Sequence, residues 1–205
     1  MTGAQNIHDV SHAFTLKNRW LTSAILNGEK SVENRSQAWK PGWYAVHTGV
    51  SKEDPNSWAE EHVRMNVRSP ARMASIAEDV KADRVPKGCI AGVCRIAHAL
   101  PVDSLATETG WAVGPVCMVI AETLWLRTPI DHKGQLGTWP LSDMARARLA
   151  SQVGACTIEA HGHDVAYPAD PNALEKMRAN NRLMRQKRKA GGQDFDGADS
   201  KRLAR

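Results

Sequence analysis

A short stretch between Gly28 and Arg35 carries the side chains that are best suited to hold a ligand. It reads Gly-Glu-Lys-Ser-Val-Glu-Asn-Arg and brings Lys30, Glu33 and Arg35 close together. Side chains alternate along a strand, so Glu33 and Arg35 would share one face, while Lys30 would lie at the start of the strand. Two cations and a carboxylate at this spacing can hold an anion or the edge of a nucleobase. The same three residues could instead form an internal salt bridge at a sheet edge.

The segments around this stretch predict the elements that would position it. A helix from 18 to 26 is indicated by four apolar residues at helical spacing, and Gly28 stands where a left-handed C-terminal cap is favoured. Alternation from 30 to 36 then predicts a strand. The pattern predicts strands over 43–48, 89–97 and 116–126, a helix over 69–80, and a helix that starts near Pro140 and ends at Gly154.

The order Gly28-x-Lys30-x-x-Glu33-x-Arg35 resembles the signature of the ASCH domain, a branch of the PUA-like barrels. The segment 14–20 resembles the family's opening strand and helix start. The segments 43–48, 88–96 and 129–139 resemble its later strands and its basic, glycine-containing loop, so the resemblance covers roughly residues 12 to 143. It implies an α+β fold with a small PUA-like β-barrel decorated by helices, and the short strands with glycine and proline turns favour the same class.

The resemblance also implies a ligand cleft between the barrel and the first helix. Six charged residues would line it: Lys17, Arg19, Lys30, Glu33, Arg35 and Lys133. His47 shares a strand face with Trp43 and Ala45 and could face the same cavity. Gly134 lies in the loop 133–137, whose backbone amides could meet a phosphate or a base edge. Four tryptophans are candidates to stack a base, one of them at most: Trp20, Trp43, Trp111 and Trp139.

Positive charge is concentrated at the C-terminal end. Residues 170–205 hold ten Lys or Arg and five Asp or Glu, which accounts for the whole net charge of +5. A basic tail on a neutral body indicates a polyanionic partner, usually nucleic acid, although such tails also serve solubility or nuclear import. We therefore predict a flexible arm over 1–11, the ASCH domain over 12–155, and a basic tail over 156–205 that is partly helical or disordered.

Several other classes are disfavoured by the sequence. The four cysteines form no Cys-x-x-Cys pair, and three of them lie in apolar, strand-like runs, so we expect reduced, buried thiols. No apolar run is long enough for a membrane span, and the first six residues lack the basic-then-apolar layout of a secretory signal. We therefore expect an intracellular, cytoplasmic protein without membrane partners, or a nuclear one if the source has a nucleus. His161 and His163 lack a third ligand, so no metal or cofactor is expected.

Three functions remain open from the sequence. The first is binding of RNA, or of single-stranded or modified nucleotides, through the cleft, with the tail adding non-specific affinity. The second is a hydrolase, because some relatives are amidohydrolases of acylated cytidine and others are reported as ribonucleases. Lys30 and Glu33 would then be catalytic, although Glu33 stands where the amidohydrolases have a threonine nucleophile. The third is a transcriptional co-factor that works through protein partners, with residues 185–189 as a nuclear signal.

Overall fold

The protein is an α+β fold built on one six-stranded mixed sheet. The computed structural model describes residues 7–50, 56–105 and 109–153. In chain order the elements are β1 (His12–Leu16), α1 (Arg19–Leu26), β2 (Val32–Arg35), β3 (Gly42–Thr48), α2 (Asn56–Asn66), α3 (Pro70–Lys81), β4 (Cys89–Pro101), β5 (Val116–Asp131), β6 (Thr138–Pro140) and α4 (Asp143–Val153). The predicted basic tail over 156–205, with any helical part of it, lies outside these residues.

The strands follow the order β2-β5-β4-β3-β1-β6 across the sheet. Only β1 and β3 run parallel; the other neighbours are antiparallel. The chain therefore leaves β1, passes through α1 and β2 at the far edge, and returns through β3 beside β1. The ends of β1 and β3 consequently lie side by side, with the start of β4 next to them.

The α+β class is as predicted, but the described strands do not close into a barrel, because the two edge strands do not pair with each other. β2 has four residues and β6 has three, and β6 ends in Pro140, which has no backbone N–H for a further strand. The sheet is nevertheless strongly curled. Nη2 of Arg35 in β2 donates to the carbonyl of Thr15 in β1, at 3.2 Å, four places away in the strand order. A flat sheet would separate these strands by about 19 Å, and irregular register between β4 and β5 permits the bend.

Local signals in the sequence explain α1. The side chain of Asn18 accepts from the amide of Trp20 at 2.8 Å and caps the first turn. Gly28 has a φ of 74°, the left-handed conformation predicted for the residue after the helix. The helix packs directly on β4, since a Cβ on Gly92 would lie 2.5 Å from Cδ2 of Leu26.

Alternate residues of the sheet face two different cores. Phe14 and Val46 pack with α1, whereas Ala13 and Ala45 face the other way, toward a cluster that includes Trp139. A third cluster lies among α1, α2 and α3. The alternation predicted for β3 is therefore confirmed. Within the described ranges, no helix has the length and apolar character needed to cross a bilayer.

Candidate functional site

A cleft of about 820 Å³ lies at the neighbouring ends of β1 and β3. β1 contributes Thr15, and Lys17 follows that strand directly. β3 contributes His47, while Lys133 and Gly134 belong to the loop between β5 and β6. Four of the eight predicted ligand-binding residues, Lys17, His47, Lys133 and Gly134, thus line one cleft.

The floor of this cleft is polar and is built around His47, whose side chain is 1% exposed. Its Nε2 lies 2.9 Å from the carbonyl oxygen of His132, and its ring meets Trp139 edge to face at 5.6 Å. Burial lowers the pKa of His47, and the backbone groups of His132 and Gly88 partly oppose this shift. Nδ1 is buried and meets no hydrogen-bond partner within the part of the chain that the structure describes.

Gly134 lies directly against this floor. A Cβ built on it would come within 2.3 Å of Cε1 and 2.6 Å of Nδ1 of His47, and within 2.8 Å of Oγ1 of Thr15. All three distances are far below a normal contact. Residue 134 must therefore be glycine for the loop to approach the floor this closely.

The rim of the cleft is apolar. Val50, Trp58 and Leu136 line it and are 74%, 48% and 96% exposed. Lys17 and Lys133 are exposed beside them. The cleft therefore combines exposed apolar surface with two cations over a buried polar floor. That combination suits a ligand that is both planar or apolar and anionic.

Lys30, Glu33 and Arg35 form a separate, buried ion network. Nζ of Lys30 lies 2.6 Å from Oε2 of Glu33, and Nη2 of Arg35 lies 2.9 Å from Oε1. Lys30 also donates to the carbonyl of Val32. The side chains of Lys30 and Glu33 are only 4% and 10% exposed. The salt-bridge alternative considered from the sequence thus matches this arrangement, and none of the three residues lines the cleft described above.

Arg35 is held on the face of β1 opposite to the cleft. Its guanidinium carbon lies 4.9 Å from the ring centre of Trp39 and 5.7 Å from that of Phe14. Thr15 follows Phe14, so its side chain points to the other face and into the cleft. Its backbone carbonyl nevertheless accepts from Arg35. Glu33 and His47 therefore do not face one common cavity, although this was expected. They lie on two opposite faces that are connected through β1.

The side chain of Arg19 points away from both the cleft and the buried ion network. Its guanidinium lies 3.3 Å from a carboxylate oxygen of Asp83 and donates to the carbonyl of Val80 at the end of α3. It therefore helps to fasten α1 to α3 and is absent from the cleft lining.

The four tryptophans predicted as stacking candidates are all buried: Trp20, Trp43, Trp111 and Trp139. The aromatic residue at the cleft is instead Trp58, in the first turn of α2. The sequence analysis missed it because the surrounding segment 51–68 is mainly polar and carries none of the recognised motifs. The available signal was a tryptophan among polar residues, where no apolar stripe required it to be core.

The described thiols are buried and unreactive in character. Cys89, Cys94 and Cys117 are free and buried, and burial raises the pKa of each. For Cys89 the pKa rises to about 12, because burial is reinforced by Asp131 at 2.9 Å from the sulfur. Among the described residues no group of three or more His, Cys, Asp or Glu could hold a metal ion. His161 and His163 lie outside those residues.

Comparison with protein-family models and with curated proteins finds no match for this chain.

Proposed function

We propose that this protein binds nucleic acid, RNA or single-stranded or modified nucleotides, in the cleft at the ends of β1 and β3. The observation that carries the proposal is the composition of that cleft: an exposed tryptophan with two further apolar residues, two lysines, and a polar floor. A nucleotide has a planar aromatic base beside an anionic phosphate. It therefore complements this arrangement better than a purely apolar or purely anionic ligand would.

In the proposed complex a base stacks on Trp58 and contacts the apolar rim, a mode of binding that tolerates any base. Lys17 and Lys133 hold the adjoining phosphates as point charges. The basic residues of 170–205 add affinity that is independent of sequence. The tryptophan, the two lysines and the basic residues of 170–205 thus have one task each, and each contribution can be removed by its own substitution or truncation.

The family assignment is part of the same proposal. The ordered motif from Gly28 to Arg35 supports an ASCH domain of the PUA-like class, and the curled sheet with α1 packed on β4 is compatible with a barrel left open at one seam. An intracellular site of action, cytoplasmic or nuclear, follows from a nucleic-acid ligand. Protein partners, as in a transcriptional co-factor, would be additional to that ligand.

The test is equilibrium binding of the full chain to fluorescent single-stranded RNA at several salt concentrations. A Lys17→Ala/Lys133→Ala variant should bind more weakly, and the slope of log affinity against log salt should fall by about 1.4, because each phosphate contact on a single strand contributes about 0.7. Lys81→Ala/Arg148→Ala loses the same charge at exposed positions outside the cleft and is the matched control. Trp58→Ala should cost about 1 to 3 kcal/mol of binding free energy.

The proposal fails if the intact chain binds no RNA or DNA at low salt. It also fails if the cleft variant and the control variant lose affinity equally, because the lysines would then act only through net charge.

The hydrolase alternative has less support from the geometry. Lys30 and Glu33 are bonded to each other, covered by neighbouring side chains and shared with Arg35, so neither presents a reactive atom to the cleft. Product analysis on the same binding samples tests it. Formation of a product that disappears in Lys30→Ala would favour the hydrolase over the binding module.

A further inference from the structure

The floor of the cleft holds two polar atoms, each with hydrogen-bonding capacity that no contact among the described residues uses. Nε2 of His47 faces a carbonyl oxygen, which only accepts, so Nε2 carries the proton. In the neutral ring Nδ1 then bears a lone pair, and this atom has no partner among the residues that the structure describes. Burial favours the neutral ring. His47 is therefore a fixed hydrogen-bond acceptor.

Thr15 supplies the complementary donor. Its Oγ1 lies 3.2 Å from Nε1 of Trp139, and an indole N–H only donates, so Oγ1 accepts here. The hydroxyl proton is left to be donated elsewhere. Both Thr15 and His47 line the cleft.

Gly134 shows that the two atoms are close neighbours. The position that a Cβ would take on this residue lies 2.6 Å from Nδ1 and 2.8 Å from Oγ1, so the two atoms flank one point. An acceptor and a donor side by side match the edge of a nucleobase, where an N–H donor stands next to an acceptor. An unpartnered buried acceptor costs free energy, which a ligand N–H would recover.

We propose that Nδ1 of His47 and the hydroxyl of Thr15 read the hydrogen-bonding edge of one base, and that the loop around Gly134 shifts to admit it. This inference rests on the proposed function and specifies which part of the nucleotide determines selectivity. The base donates an N–H to His47 and accepts from Thr15, while Trp58 at the rim contacts its face. A side chain at 134 would fill the same position, so Gly134→Ala should block the base from the floor.

The experiment uses pairs of short single-stranded RNAs that differ by one donor group at a single base. The pairs are adenine and purine, cytosine and 2-pyrimidinone, and uracil and N3-methyluracil. For the base that the cleft prefers, loss of the donor should weaken binding to the full chain by about 10-fold to 100-fold, as expected for a buried acceptor left without its partner. The discrimination should fall below about 3-fold in His47→Gln, because glutamine has no acceptor nitrogen at the position of Nδ1.

Thr15 provides a matched pair of variants. Thr15→Val keeps the shape but loses the hydroxyl, so it should weaken binding of both RNAs of a pair, because both bases keep the acceptor that Thr15 contacts; Thr15→Ser keeps the hydroxyl and should retain the affinity. A second readout is the ¹⁵N imidazole spectrum: without ligand His47 should show the proton on Nε2, and addition of preferred RNA should shift the Nδ1 resonance. Gly137→Ala adds a Cβ to the same loop with no atom within 4 Å but at a φ of 72°, so it controls for strain in the loop backbone without filling the floor.

The possible outcomes separate this inference from the function it rests on. Binding that depends on Lys17 and Lys133 but shows no preference within any RNA pair would overturn the reading role and leave nucleic-acid binding in place. A proton found on Nδ1 would also overturn it. If no RNA binds at all, the proposed function and this inference fail together.

Discussion

Replacing Glu33 by glutamine is expected to destabilise the fold strongly, because the carboxylate is the anion shared by two buried or partly buried cations. Its oxygens lie 2.6 Å from Nζ of Lys30 and 2.9 Å from Nη2 of Arg35. Glutamine can offer one acceptor oxygen and must turn its NH₂ toward the other cation. Lys30, with a side chain only 4% exposed, then remains charged without a counter-ion. Removing one partner of a buried pair costs about 3 to 5 kcal/mol.

Urea unfolding measures this effect directly. With an m value on the order of 2 kcal/mol/M, the midpoint should fall by about 2 M without a change in m. Glu60→Gln is the matched control, because Glu60 pairs with Arg64 at 2.6 Å on the surface of α2 and is 34% exposed. That substitution should cost no more than about 0.5 kcal/mol. A loss below about 1 kcal/mol for Glu33→Gln would refute the structural role and return Glu33 to the list of candidate catalytic groups.

Three further predictions concern packing, pH and thiol reactivity. Gly92→Ala should destabilise the fold by about 1 to 3 kcal/mol in the same urea assay, since its Cβ would lie 2.5 Å from Cδ2 of Leu26 and from a backbone oxygen; unchanged stability would contradict the tight contact of α1 with β4. Burial lowers the folded-state pKa of His47 below its ordinary 6.5, so the unfolded state binds the proton first and stability is lost as pH falls through 6.5. His47→Gln should reduce that loss by up to about 1.4 kcal/mol per pH unit. Part of the pH dependence should remain, because burial also lowers the pKa values of His62 and His98. If the variant and the unmodified chain lose stability with the same slope against pH, the prediction for His47 is contradicted. Cys89, with its pKa raised from 9.0 to about 12, should react with a thiol reagent at pH 8 about 1000-fold more slowly in the folded chain than in urea. Mass spectrometry of the labelled peptide measures the two rates. Equal rates would contradict the burial of the Cys89 thiol.

Local signals predicted most of the elements correctly because they act within a few residues. Asn18 and Gly28 bound α1, and Ser69 with Pro70 begins α3, as capping rules require. The ends of β4 and β5 were less predictable. Both strands extend beyond the predicted ranges, because residues 98–101 of β4 pair with the start of β5 and residues 130–131 of β5 pair with the start of β4.

The composition of the cleft depends on topology, which the sequence did not specify. The family resemblance assigned Lys17 and Lys133 to one cleft and His47 was a candidate for the same cavity, but it is the parallel pairing of β1 with β3 that places Lys17 and His47 side by side. Lys30 and Glu33 were assigned to the same cavity through the family resemblance, and strand alternation adds only which face a residue takes within its own strand. It does not say which surface that face meets after the sheet has curled.

The motif from Gly28 to Arg35 and the cleft are connected through β1, and this connection yields a last prediction. Nη2 of Arg35 binds both Glu33 and the carbonyl of Thr15, whose side chain forms part of the cleft floor. Arg35→Met should keep the packing on Phe14 and release the carbonyl of Thr15. We expect weaker RNA binding with an unchanged salt slope, because no phosphate contact is lost. A slope reduced by about 0.7 would instead mean that Arg35 touches a phosphate itself. The motif from Gly28 to Arg35 would then belong to the ligand site itself, as its charges first suggested, and would not act on that site only through the backbone of β1.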